Sequence, residues 1–313
     1  MTHFNTVTAR SVADYLQEVL PEVLEQGRPL TPVDREEPID WQAEDAPRWL
    51  GLRYPHEGPL ALLAVCRRNR SDGGADLRTF FPAALDGLPV VVQVVSIDED
   101  RRAGEAIITA QTGCGLELRY FEPLFCTRRS LYRRGAWLKV GMAGLAHDLK
   151  LDDKARDQKG APPRPYLLQT DDEVPDAGSF RSRVERLGYL ELFEEGVYRL
   201  EVTLADGVPE LPAESGVQAI LYVGEHQLEG GNPPRPGQPI RGHLWLQGVA
   251  QEVVPRPAHL PEDFDTEKYP DADETADEGM DTGADNESDL DLDDGFDFGA
   301  DPGPAGDDDD VPF

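Results

Sequence analysis

The sequence predicts a mainly β protein, in which two tandem small β-barrels follow an N-terminal helix and precede a disordered acidic tail. Three observations support this prediction. Near the N-terminus, apolar residues recur at the spacing of a helix and so lie on a single face. From about residue 50 the chain divides into short β-branched and aromatic runs, and after Glu262 it becomes mostly small or acidic. The predicted segments are a helical segment at 1–48, β-domains at 49–160 and 161–260, and the tail at 261–313.

The N-terminal segment SVADYLQEVLPEVLEQG predicts an amphipathic helix. Ser11 and Asp14 have the spacing of a helix cap, Pro21 is expected to kink or divide the helix, and Gly27 is expected to end it. The apolar face is expected to pack on a neighbouring domain or subunit. That face comprises Val12, Tyr15, Leu16, Val19, Val23 and Leu24.

The predicted strands are short runs rich in β-branched and aromatic residues, separated by Gly, Asp and Pro turns. In the first β-domain the runs are ALLAV, VVVQVVSI, EAIITAQT, LELRYFEPLF and AWLKVGMAGLA. In the second they are VYRLEVTL, VQAILYVG and HLWLQGVAQEVV, and a helix is predicted before them at FRSRVERLGYLELFEE.

The two β-domains also resemble each other in sequence. Residues 134–143 (RGAWLKVGMA) and 241–250 (RGHLWLQGVA) both fit R-G-x5-G-x-A. The same spacing places 91–97 over another strand-like run at 198–204. Two matches at one spacing predict a duplicated β-domain, although short apolar strands bounded by glycine also match by chance. Glycines at such places are typical of the bulges and bends that let small barrels close.

Charge and cysteine content restrict the class of protein. Residues 262–313 contain 22 of the 61 acidic side chains and one basic residue, Lys268, so most of the net charge of -31 belongs to the tail. Such a composition buries too little apolar surface to offset chain entropy, and the tail is expected to be disordered. Three cysteines without CxxC spacing favour reduced thiols over a disulfide framework or a zinc site. Without an apolar signal core or a membrane-length run, we expect a cytoplasmic protein with no cofactor.

The chain ends in DDDDVPF. The aspartates are attracted to basic surfaces, and Phe313 can enter an apolar pocket while its α-carboxylate pairs with a cation at the rim. Pro312 stiffens the segment and lowers the entropy cost of binding. A tail that only adds solubility has no need for an apolar end. The tip therefore predicts a peptide that docks on a partner with a basic, apolar pocket.

The last six residues closely resemble the end of bacterial single-stranded-DNA-binding proteins, which typically reads Asp-Asp-Asp-Ile-Pro-Phe. In that family an OB-fold body binds the strand, and a disordered acidic linker presents the tip to replication, recombination and repair proteins. Some members carry two OB folds in one chain, so the resemblance implies two tandem OB-like barrels here. Residues 1–260 do not align with the family's OB core, so only the tip carries over. The implied partner-binding residues are Asp308, Asp309, Asp310, Val311, Pro312 and Phe313.

The body itself has two stretches that mix cations with aromatic residues, at 119–139 and 66–78, and the second half adds matching residues. Proteins that bind single strands use this mixture, because cations follow the phosphates and aromatic faces stack on bases. Tyr132 is the best candidate for exposure, whereas Trp137 and Trp245 are equally compatible with the core. The candidate nucleic-acid-binding residues are Arg67, Arg68, Arg70, Phe125, Arg128, Arg129, Tyr132, Arg133, Arg134, Trp137, Tyr222, Arg241 and Trp245.

These features predict a non-enzymatic protein that coats single-stranded DNA and recruits DNA-processing proteins through its tip, as a monomer or a homo-oligomer. A phage, plasmid or other mobile element would explain a family-like tip on an unfamiliar body. The alternative is an adaptor or decoy that uses the tip without binding DNA. The two interpretations differ in the aromatic residues of 119–139: exposure on a positive groove favours DNA binding, and packing inside favours the adaptor or decoy.

A third interpretation, a metal-dependent nuclease, depends on the carboxylates of AHDLKLDDK and SIDEDRR. It predicts three or more carboxylates in one pocket. Charged clusters at strand ends are more often solvated turns, and the sequence contains none of the common nucleotide-binding, esterase or zinc-protease motifs.

Overall fold

The computed structural model shows a mainly β protein, as the sequence predicts, with two sheets and a short helical segment at the N-terminus. No helix among the residues it describes is long and apolar enough to cross a membrane. The described residues are 6–7, 9–33, 48–69, 74–152, 164–169, 174, 176–206, 216–258 and 260.

The N-terminal helical segment has three parts: α1 (Val12–Asp14), a π-helical stretch (Tyr15–Val19) and α2 (Leu20–Gln26). The predicted cap is confirmed, because Ser11 and Asp14 exchange side-chain and main-chain hydrogen bonds as a capping box. The helix ends before Gly27, also as predicted. Its interruption lies in the π-helical stretch just before Pro21, a residue that cannot donate to the helical ladder.

A four-stranded antiparallel sheet receives this helix. Its strands, in spatial order, are β1 (Arg28–Pro29), β2 (Trp49–Tyr54), β3 (Leu60–Arg68) and β4 (Ala75–Ala84). The helix packs on one face of this sheet through Tyr15, Val19 and Val23, which join a cluster with Leu52, Leu62, Ala64 and Phe80. The predicted packing face is therefore narrower than expected, because Leu16 and Leu24 remain about half exposed.

The remaining strands form a nine-stranded sheet. Its first part comprises four strands, with α3 (Phe125–Arg128) and a 3-10 turn (Arg129–Leu131) after the third. The strands are β5 (Leu88–Asp100), β6 (Glu105–Thr112), β7 (Glu117–Phe121), β8 (Trp137–Leu151), β9 (Tyr166–Leu168), β10 (Ala177–Leu192), β11 (Glu195–Ala205), β12 (Val217–Gly224) and β13 (Pro239–Val253). The stretch predicted as a helix at 180–195 is therefore most of β10, the turn after it and the first residue of β11, so that prediction is wrong.

The strand pairings of this sheet close into two five-strand circuits. In the first circuit β5 pairs with β6, β6 with β7, β7 with β13, β13 with β8, and β8 with β5. In the second, β10 pairs with β11, β11 with β12, β12 with β8, β8 with β13, and β13 with β10. Only the β7–β13 and β12–β8 ladders are parallel. Strands β8 and β13 belong to both circuits, so each half of the sheet is completed by a strand from the other half.

The two halves repeat the same local geometry. Each first strand has a register shift at one place, after Val94 in β5 and after Val184 in β10. The main-chain groups of Val94 exchange hydrogen bonds with Ala136 and Gly135, at 2.9 and 2.8 Å. Val184 does the same with Gln238 and Gly237, at 3.1 and 2.7 Å. Both glycines have a positive φ, 78° and 83°.

This repeat differs from the one expected from the sequence. The structure equates Trp137–Leu151 with Pro239–Val253, so the R-G-x5-G-x-A match compares the correct strands in the wrong register. The second sequence match is wrong, since 91–97 lies in β5 and 198–204 in β11, whereas the counterpart of β5 is β10. Short apolar strands separated by glycine look alike, and only the pairing partners reveal which of them correspond.

The domain boundaries expected from the sequence divide the chain differently from the sheets. Strands β2–β4, assigned to the first β-domain, belong to the separate four-stranded sheet. The boundary at 160/161 separates two halves that share β8 and β13. All the described residues belong to one compact unit, Met1–Tyr269.

Candidate nucleic-acid interface

The aromatic side chains expected to stack on bases are buried. Tyr132 is 6% exposed, so the expectation that it faces solvent is wrong. Trp137 and Trp245 are 6% and 2% exposed, which leaves the core as their location. Phe125 and Tyr222 are buried as well. None of these five predicted residues therefore offers an aromatic face to a DNA strand in this structure.

Four of these residues are buried in two different hydrophobic clusters. Phe125 and Tyr132 pack against each other, with ring centroids 5.9 Å apart, in the cluster enclosed by the two circuits. Trp245 and Tyr222 point outward from the circuits, but the four-stranded sheet covers that face. Its Phe81 lies edge-on to Phe121 at 4.9 Å and to Trp245 at 6.4 Å.

A buried glutamine fixes the covering sheet to β13. The side chain of Gln247 donates to the carbonyl of Pro82 at 3.0 Å and accepts from the N–H of Ala84 at 2.7 Å. Trp245 is fixed in the same layer, because its indole N–H donates to the Asp176 carboxylate. The covering sheet thus provides hydrogen bonds as well as apolar contacts.

Glu122 holds α3 and its predicted basic residues in place. Its carboxylate accepts from the N–H of Leu124 at 3.0 Å, the N–H of Ala250 at 2.8 Å and the Tyr132 hydroxyl. Burial raises the pKa of Glu122 to about 7, against these hydrogen bonds and the nearby Arg128, which lower it. Arg128 donates to the carbonyl of Ala250 and is half-buried, so it supports the fold as well as carrying charge.

The other predicted cations of the first half lie at the surface. Arg129, Arg133 and Arg134 are exposed beside the turns that precede β8. Arg129 pairs with Glu99 at 2.9 Å, and Arg101 from the β5–β6 turn approaches the same carboxylate at 4.0 Å. A cleft of about 430 Å³ lies here, and its walls include Ile97, Glu99, Arg101, Phe125, Arg129 and Tyr132.

Arg67 lies near the same turn, at the end of β3. It is opposite Trp49 on β2, and Trp49 packs beside Gly104 of the β5–β6 turn. Arg68 follows Arg67 in the chain, and both side chains are half-buried. Arg70 lies outside the described residues. Residues of the two basic stretches predicted from the sequence thus lie near one turn, whose own Arg101 and Arg102 were missed.

The second half has a more regular arrangement of cations. Arg241 lies directly opposite Arg181 on β10 and Lys150 on β8, and Arg181 lies opposite Tyr166 on β9. Residues opposite each other in neighbouring strands point to the same face. We call Lys150, Arg181 and Arg241 the cationic row. The Arg181 guanidinium lies 5.5 Å from the centre of the Tyr166 ring, which is 40% exposed.

Only Arg241 of the cationic row was among the residues predicted from the sequence. Arg181 was missed because its segment was interpreted as a helix. A period of two was available as a signal: Phe180, Ser182 and Val184 are buried, while Arg181 and Arg183 alternate with them.

The groups considered for a metal site are dispersed. Within the part of the chain that the structure describes, no group of three or more His, Cys, Asp or Glu residues could hold a metal ion. Asp148 pairs with His243 at 2.8 Å, and Glu99 pairs with the arginines named above. Asp153 and Lys154 lie outside the described residues.

The predicted partner-binding residues, Asp308 to Phe313, also lie outside the described residues. No protein-family model matches the chain, and no curated protein matches its sequence.

Proposed function

We propose that this protein binds single-stranded DNA through two OB-like barrels and recruits DNA-processing proteins through its acidic C-terminal tip. The observation that carries the proposal is the connectivity of the two five-strand circuits. In each one, the third strand pairs in parallel with the closing strand, and a helical segment follows the third strand. This connectivity supports the assignment of two OB-like folds, since the OB fold is a five-stranded Greek-key barrel that binds oligonucleotides.

The exposed cations support the same proposal. OB folds bind strands with the face of strands two and three and with nearby loops, including the loop between strands one and two. In the first circuit that loop is the β5–β6 turn, where Arg101 and Arg102 are exposed and Arg129 approaches. Binding carried by cations and phosphates is expected to be strongly dependent on salt.

The tip supplies the recruitment function in this proposal. Its resemblance to the end of bacterial single-stranded-DNA-binding proteins supports a partner that holds Phe313 in an apolar pocket with basic residues at the rim. A second candidate function is an adaptor or decoy that does not bind DNA. The burial of Phe125, Tyr132 and Trp137 favours it, since stacking on exposed aromatic residues was the sequence argument for DNA binding.

A binding titration separates the two candidates. Dye-labelled oligo-dT is titrated with the full-length protein and with residues 1–269, and fluorescence anisotropy is recorded at several salt concentrations. A dye on the DNA reports binding directly, whereas two of the four tryptophans, Trp137 and Trp245, are buried. Binding with a steep salt dependence supports the proposal. No binding by either form at low salt would refute it and leave the adaptor or decoy.

A further inference from the structure

The cationic row breaks a rule of β-sheet stability. Neighbouring strands are about 4.8 Å apart, and like charges directly opposite each other destabilise a sheet. Here Arg181, Arg241 and Lys150 are opposite one another on three adjacent strands. Their side chains are 29%, 54% and 46% exposed, and the Nε atom of Arg181 is buried.

The first half of the sheet provides an internal comparison. Strands β8 and β13 occupy equivalent positions in the two halves along their whole length. Lys139 is therefore the counterpart of Arg241, and Glu252 is the counterpart of Lys150. Lys139 lies opposite Glu252, with its Nζ 3.2 Å from the carboxylate, and opposite Val91 on β5. The same three positions therefore hold an opposite-charge pair and an apolar residue in one half, and three cations in the other. Because the two halves of the sheet share these strand pairings and only one half has the three cations, the fold does not require them.

Among the residues that the structure describes, two carboxylates face the three cations of the cationic row. Asp152 lies 2.9 Å from Arg181 and 4.0 Å from Arg241, and Glu229 lies 3.4 Å from Lys150. Each guanidinium has five N–H donors, more than one shared carboxylate can accept. Asp148 and His243, which pair with each other, occupy the next positions on β8 and β13, and Arg183 is exposed on β10.

A local rule that a protein breaks without benefit to its fold usually marks a functional site. We propose that the cationic row is the principal track for the phosphodiester backbone of single-stranded DNA, and that the equivalent positions in the first half do not contact the strand. This inference rests on the proposed function, but it places the strand on the first, fourth and closing strands of the second circuit and not on the second and third strands that OB folds use. From β8 to β9 the row and Tyr166 extend about 14 Å, across four strands, long enough to follow a few nucleotides. Tyr166 at the end of the row offers a partly exposed ring to a base.

The test compares equivalent positions in the full-length protein. Arg241→Thr, Arg241→Lys and the matched control Lys139→Thr are titrated with labelled oligo-dT at several salt concentrations, and thermal unfolding is measured in parallel. For Arg241→Thr we expect a weaker affinity, and a slope of log K against log salt that is smaller in magnitude by about 0.7, the value for one lost phosphate contact on a single strand. Arg241→Lys is expected to keep most of the slope. Lys139→Thr is expected to leave affinity and slope unchanged.

Thermal unfolding distinguishes a binding role from a structural one. Arg241→Thr removes a like-charge opposition and is expected not to lower the unfolding midpoint, whereas Lys139→Thr removes an opposite-charge pair. If wild type binds and Arg241→Thr weakens binding no more than Lys139→Thr does, the cationic row is not the track, and the proposed function stands. A lowered unfolding midpoint with unchanged affinity for Arg241→Thr would likewise overturn the inference. If wild type fails to bind, the proposed function itself is refuted.

Discussion

Glu122 is expected to make the stability of this protein depend on pH. Its side chain is buried, and burial raises its pKa from 4.5 to about 7. Because the pKa is higher in the folded than in the unfolded state, the folded state binds the proton more tightly. The corresponding stability is fully present below about pH 4.5 and is lost as the pH rises through 7.

The size of the effect follows from the two pKa values. The difference between the two pKa values corresponds to a loss of about 3 kcal/mol in the free energy of unfolding from below pH 4.5 to well above pH 7. Between pH 5.5 and 8.5 the loss is about 2 kcal/mol. The variant Glu122→Gln does not titrate. Its amide oxygen can still accept from Ala250 and Tyr132, but its NH2 group faces the N–H of Leu124. We expect this mismatch to cost about 1–2 kcal/mol at pH 5.5, and the variant to equal or exceed wild type at pH 8.5.

The measurement is urea unfolding followed by circular dichroism at pH 5.5, 6.5, 7.5 and 8.5. The quantity compared is the difference between wild type and Glu122→Gln, because other buried groups cancel in it. Burial also raises the pKa of Asp176 and Glu105 and lowers that of His147. Glu191→Gln, at an exposed carboxylate, serves as the control for the change of side chain. A difference between wild type and Glu122→Gln that stays constant over this pH range would refute the reasoning.

Three further predictions concern the covering sheet, the shared strands and the tip. Gln247→Leu removes the side chain that bonds two buried main-chain groups of β4. We expect the free energy of unfolding in urea to fall by about 2 kcal/mol. An unchanged unfolding midpoint would contradict the role of Gln247 in joining the four-stranded sheet to β13. Gly242→Ala places a Cβ against the Asp148 carbonyl oxygen and should lower the thermal unfolding midpoint. In the control Gly188→Ala, the new Cβ lies 3.6 Å from the Cβ of Arg199, an ordinary contact, and the midpoint should not fall. Equal effects of the two variants would contradict the close packing of β8 and β13. Deleting Phe313 is expected to abolish binding to a purified protein that holds the tip of single-stranded-DNA-binding proteins, and to leave oligo-dT affinity unchanged. Retained partner binding in a pull-down would refute the tip assignment.

Much of the fold was predictable from short-range patterns. The capping box at Ser11 and most of the strands follow from residue type and spacing alone, because they depend on local hydrogen bonds and a period of two. The exception is β10, where FRSRVERLGYLELFEE contains good helix formers. There, pairing with β9, β11 and β13 outweighs the local preference.

The candidate site was less predictable, because exposure depends on partners far away in the chain. Trp245 and Tyr222 belong to a cluster that includes Leu60, Leu63 and Phe81 of the four-stranded sheet. The four-stranded sheet, formed more than a hundred residues earlier in the chain, covers them. In the opposite sense, Arg181 and Lys150 are unremarkable in the sequence and become a row with Arg241 only through the strand register.

The sequence by itself determined that this protein is mainly β and where most of its strands lie. Those features depend on composition and on spacings of a few residues. The tertiary structure decided that β8 and β13 are shared by two circuits, which aromatic residues are buried, and which cations align. These depend on register and on one sheet covering another, and each requires contacts between segments that the sequence keeps far apart.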